Sequence, residues 1–132
     1  MARPTYLSLS WTGLSYSITL PPFAQFSTLT VENMCVIDPT GTSTVPMLYL
    51  VSSTNATQHP TFYGGNRGDD ILGHVSFNYN GVFTQYTKNK TMVLAGNAQN
   101  TMNNFRMRLV DSAGNPPAIS ATSVVGLLLV LD

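Results

Sequence analysis

The chain has 132 residues, six of them basic, six acidic and 43 of them Ser, Thr, Asn or Gln, and its formal net charge is zero. That length suits one domain spanning residues 1–132. A hydrophobic share of 43% excludes a disordered chain, and the scattered, balanced basic residues exclude an electrostatic footprint for nucleic acid.

In chain order the apolar residues recur with period 2. Leu7, Leu9 and Trp11 alternate, Gly13 shifts the phase, and Leu14, Tyr16, Ile18 and Leu20 continue it. A glycine at a phase change predicts a bulge or tight bend. Ser, Thr and Gly interrupt this stretch too often for a secretory signal. Pro21-Pro22 ends it. Leu29, Val31 and Met34–Ile37 form the next strand, closed by the turn sequence Asp38-Pro39-Thr40-Gly41. Met47–Val51 is a short apolar run, followed by a long polar segment, residues 52–70, with little periodicity.

Beyond it, residues 74–79 and 82–86 alternate around Asn80-Gly81, the pair that best suits a two-residue hairpin turn because both positions take positive φ. Met92–Ala95 is another short strand. Phe105, Met107 and Leu109 face one way and Arg106 and Arg108 the other. After a turn over Asp111–Pro117, Val124–Leu131 is apolar without alternation, so both its faces should be covered. No stretch is long and apolar enough to span a membrane as a helix. The expected fold is all-β, a single jelly roll or β-sandwich of about eight short strands.

The run Phe105-Arg106-Met107-Arg108-Leu109-Val110-Asp111-Ser112-Ala113-Gly114-Asn115-Pro116, with the apolar strand after it up to Leu131, resembles the end of small viral jelly-roll proteins. These are the minor capsid, penton-like and fibre-head domains of polinton-like and adenovirus-like DNA viruses. The resemblance implies a symmetric oligomer, a trimer or pentamer, located in the virion and packed against other capsid proteins. Sparse surface charge points the same way, since a neutral hydroxyl and amide surface resists association poorly. Within the last strand, Leu127, Leu128, Leu129 and Val130 are the candidate subunit interface, one alternate pair facing the core and the other a neighbour. The alternative is a receptor- or carbohydrate-binding module displaying residues 52–70.

Arg67-Gly68-Asp69 is the one motif with a receptor chemistry. A carboxylate for a receptor metal and a guanidinium for an acidic partner, presented at a glycine turn, would suit an integrin-type receptor. The same letters fit a plain polar turn. Asp69 and Asp70 read as solvated loop acids, His59 as a loop residue and His74 as the cap of a strand. Asn55-Ala56-Thr57 and Asn89-Lys90-Thr91 match the glycan acceptor pattern. Cys35, the single cysteine, fits a small hydrophobe within a strand. No nucleophile, base and orienting acid stand out together. The expectation is a non-enzymatic protein without cofactor or metal.

Overall fold

The structure, a computed structural model, describes residues 4–19, 26–41, 45–52, 61–63, 66–68, 70–85, 91–93 and 105–132. Among them every regular element is a strand, and no helix is long and apolar enough to cross a membrane. The first alternating run becomes two strands, β1 (Thr5–Thr12) and β2 (Ser15–Ile18). Between them Gly13 takes φ +120°, a conformation that side chains rarely adopt. Its N–H donates to the Ser123 carbonyl at 2.8 Å, while the Leu14 carbonyl accepts from the Leu109 N–H at 2.8 Å. The chain thereby leaves one neighbour and joins another. Trp11 and Tyr16 stack across this bend, with ring centroids 4.9 Å apart.

The remaining strands are β3 (Thr28–Ile37), β4 (Met47–Ser52), β5 (Thr61–Tyr63), β6 (Asn66–Gly68), β7 (Asp70–Tyr79), β8 (Val82–Thr84), β9 (Met92–Val93), β10 (Phe105–Val110) and β11 (Val124–Leu131). β5 and β6 pair only with each other. The others form one antiparallel sheet in the order β1-β11-β3-β8-β7-β4-β10-β2, with β9 also against β3. Since β8 and β9 lie on the same partner, they count as one interrupted strand. The sheet then divides into two four-stranded halves joined at the β7–β8 hairpin. The other links cross from one half to the other, except that from β4 to β7, which are neighbours within one half. This double Greek key is the jelly-roll order. The fold is an all-β jelly-roll-like sandwich whose sheet curls until it nearly closes, with β1 and β2 at its two ends.

Alternation fills the space between the halves. Val31 and Val36 of β3, Leu48 and Leu50 of β4, Phe105, Met107 and Leu109 of β10, and Val125, Leu127, Leu129 and Leu131 of β11 all belong to one buried cluster. Three irregularities adjust the register: one residue extra on β3 opposite Leu128 and Leu129, one on β7 opposite Leu50 and Val51, and one on β7 opposite Phe83 and Val82. Such bulges bend a strand locally and help a sheet to curl.

The turn chemistry follows the residues. Asn80 and Gly81 have φ of 52° and 78°, and Tyr79 pairs with Val82, so the hairpin has the two-residue type I′ form. Gly81 is needed a second time. The Asp38 N–H donates to the Gly81 carbonyl at 2.8 Å, and a Cβ on Gly81 would lie 2.5 Å from the Asp38 carbonyl oxygen. Asp38 is buried there, with its Oδ1 accepting from the Thr40 N–H at 3.0 Å and from the Thr40 hydroxyl at 2.8 Å. Burial of that carboxylate is met by local hydrogen bonds. Likewise Asp111 Oδ1 accepts from the Ala113 and Asn115 N–H groups at 2.9 and 3.0 Å, and Gly114 supplies φ 84°.

The polar segment departs from its reading. It holds the β5–β6 hairpin, and β7 begins at Asp70 instead of His74. Leu20, Tyr86, Leu94 and Ala95, expected in strands, lie outside the described residues.

Candidate functional site

The outward positions of β1, β11, β3 and β8 form continuous rungs fixed by register. Thr12, Val124, Ile37 and Val82 make the first, and Ser10, Gly126, Cys35 and Thr84 the second. Ser8, Leu128 and Asn33 make the third, and Tyr6, Val130 and Thr30 the fourth. None of these side chains is charged. The one charged residue of β3, Glu32, is the extra residue at the bulge. Along the face Tyr6 is 62% exposed, Ile37 45% and Val124 41%. Thr30 is buried and donates its hydroxyl to that of Thr91 at 3.0 Å.

Gly126 leaves the middle of this face without a side chain. The result is an open trough of about 640 Å³, bordered by Ser8 and Ser10 on one side, Asn33 and Cys35 on the other, and Thr84 and Gln85 beyond. Gln85 is held in place by donating its Nε2 to the Glu32 carbonyl at 3.1 Å. Cys35 is half-buried in the trough wall, and burial pushes its thiol pKa up. A thiol kept protonated is a poor nucleophile, so the trough offers neutral hydrogen-bonding groups and apolar contact rather than reactive chemistry.

The opposite half presents a different outer surface. On β10, Arg106 is exposed and Arg108 half-buried, opposite Ser17 and Ser15 of β2. Tyr49 of β4 lies beside His74 of β7, with ring centroids 6.3 Å apart and tilted by 40°.

The residues singled out from sequence distribute unevenly. Leu127 and Leu129 are buried in the core cluster; Leu128 takes an outward, half-buried position, while Val130, outward by register, is itself buried, so of the four only Leu128 is left to face a neighbour. Arg67 and Gly68 belong to β6, paired with Phe62 and Thr61 of β5, and Asp69 lies outside the described residues. Asp70 is not a solvated loop acid: it is buried at the start of β7, opposite Ser52. His74 does not cap a strand but sits inside β7, because pairing with β4 extends that strand by four residues toward the polar segment. His59, Asn55 and Asn89 lie outside the described residues. Among the described residues, no three His, Cys, Asp or Glu side chains group as metal ligands.

Gly126 escaped the sequence reading, although a glycine within an unbroken apolar run, away from any turn residue, was a signal for it. Compared with known proteins, the chain matches no family model and no curated protein.

Proposed function

We propose that this chain is a structural component of a virus particle, a minor capsid, cement or penton-like protein that works by packing against copies of itself and against other shell proteins. The observation that carries the reading is the outer face of β1, β11, β3 and β8, whose rungs are uncharged and whose Ile37 and Val124 are 45% and 41% exposed. Covering a few hundred Å² of such apolar surface contributes several kcal/mol at about 25 cal/mol per Å², less the ordering cost of association. The rungs carry no ion to strip of water when they are covered, Glu32 at the β3 bulge being the one charged side chain on these strands.

The jelly-roll strand order supports the reading by analogy, since virus shells use this architecture widely. So does the resemblance of residues 105–131, a stretch made of a strand, a turn held by Asp111 and the terminal strand. The alternative is a receptor- or carbohydrate-binding module displaying residues 52–70; the assembly reading draws on the outer face of β1, β11, β3 and β8. Mass spectrometry of purified particles tests it. The chain should be present in fixed proportion to the main shell protein and should stay with the particles through a salt wash. Particles that lack it would overturn the reading.

A further inference from the structure

Gly126 stands at the centre of β11, and among the described residues nothing requires it to be glycine. Its φ is not in the left-handed region, and the pairing with β1 runs through it unbroken. The β3 register shift falls further along, between Leu128 and Leu129. Among the described residues, a Cβ built on Gly126 meets no heavy atom within 4 Å. A glycine inside a strand weakens it, and such glycines recur where something from outside approaches the backbone closely.

The same face carries the opposite irregularity. Tyr6 is 62% exposed, the largest exposure of any big hydrophobic side chain among the described residues. Its rung, shared with Val130, lies two residues to one side of the Ser8–Leu128 rung, and the Ser10–Gly126 rung lies two residues to the other side. Each is about 7 Å from that centre at the usual rise of a strand. A two-fold axis in the plane of the face, passing between Ser8 and Leu128 and tilted about 20° from the direction across the strands, brings each copy's Tyr6 over the other copy's Gly126. We propose that the occupant of the trough is a second copy of this chain, paired face to face, with Tyr6 of each copy seated where the other lacks a side chain.

This rests on the assembly reading above and gives one of its contacts a geometry. Three strands about 4.8 Å apart and eight residues long, with the three residues of β8 beside them, offer a face of roughly 420 Å², so two copies bury roughly 850 Å². That is the size of a weak, reversible contact, which therefore depends on a good central contact. A tyrosine ring is the side chain best suited to supply one, and the Ser10 and Thr84 hydroxyls bordering the trough can accept or donate to its phenol. The net charge of zero sets up no repulsion between copies.

Sedimentation velocity at tens of micromolar tests the pairing. Wild-type protein should contain a dimer. Gly126→Val should weaken it at least tenfold while leaving the melting temperature equal or higher, because the added methyls fill empty space on a strand. Tyr6→Ser should weaken it similarly and remain folded. A trimer or pentamer indifferent to Gly126→Val would overturn the two-fold pairing and leave the assembly reading standing. A monomeric wild type would overturn the pairing, while particle mass spectrometry decides the assembly reading separately. A fall in melting temperature with Gly126→Val would overturn the premise that the fold has no use for this glycine.

Discussion

On β10 the outward positions are Arg106 and Arg108, and on β1 they are Tyr6, Ser8, Ser10 and Thr12. Both strands bury the alternate residues in the same core, so the inner surfaces of the two halves are equivalent. Only the outer surfaces differ. The β10 side carries guanidinium groups that water solvates well. The β1 side, with β11 and β3, carries hydroxyls, an amide, aliphatic side chains and a glycine. A shared fold thus imposes the inward half of each strand, and the outward half is left to say what surrounds the molecule. Here the two halves specify different surroundings.

The largest effect should come from reversing inside and outside on one strand. Leu129→Lys places an ammonium where exposure is 0%. It should cost about 4 kcal/mol or more, most of the stability of a small domain, so the cooperative thermal transition should vanish. Leu128→Lys, one residue away, should cost about 1 kcal/mol or less in the fold yet weaken self-association, as measured by denaturant titration beside sedimentation. If the two variants behave alike, the division of β11 into an inner and an outer face fails.

Gly81 and Gly126 repeat the comparison for two glycines. A Cβ on Gly81 would fall 2.5 Å from the Asp38 carbonyl oxygen and 3.0 Å from the Gly41 Cα, at φ +78°. Gly81→Val should therefore destabilise by about 2–4 kcal/mol in urea unfolding, unlike the substitution at Gly126. On the charged face, Arg106→Glu should change stability by no more than about 0.5 kcal/mol and leave the oligomeric state as it was.

The smallest effect is kinetic. Burial raises the Cys35 pKa, so the folded chain holds the thiol proton at a pH where the unfolded chain has begun to lose it. Its contribution to stability is present below the ordinary cysteine range and is lost as pH rises through it and beyond. Labelling by a thiol reagent near pH 8 should be slower than in urea and should speed up with pH. Tyr6→Ser, which separates copies without adding a side chain beside the thiol, should increase the rate in the folded protein.

The strands that a single sequence revealed were those whose partners share its periodicity. The Asn80-Gly81 hairpin, the bend at Gly13 and the doubly apolar β11 were legible because each depends on local backbone demands or on a complete apolar pattern. The β5–β6 hairpin was not, since Thr61, Asn66, Arg67 and Gly68 offer no alternation of apolar and polar residues. The start of β7 at Asp70 was hidden for a related reason: pairing with β4 sets it, and a buried acid reads as a surface one until its neighbours are known. Of the candidate face, the sequence yielded Leu128 and Val130 as one of two alternate pairs. The rungs that join them to Ser8, Asn33 and Cys35 come from strands distant in the chain, and no local pattern carries them.

The bend at Gly13 has a consequence for the order of events during synthesis. Among the described residues Thr5–Thr12 pairs only with β11, and Ser15–Ile18 only with β10, so these early strands wait for late ones. A ribosome must release nearly all of the described chain before either end of the sheet has its partner, and topologies rich in such distant pairings fold on the scale of milliseconds to seconds. Throughout that interval the stretch from Thr5 to Ile18 is an unpaired, half-apolar ribbon, able to add itself to another molecule's sheet. Two nascent copies close together could exchange it, one chain's first strands completing the other's sheet, which would make crowding at the site of synthesis matter to how this protein matures.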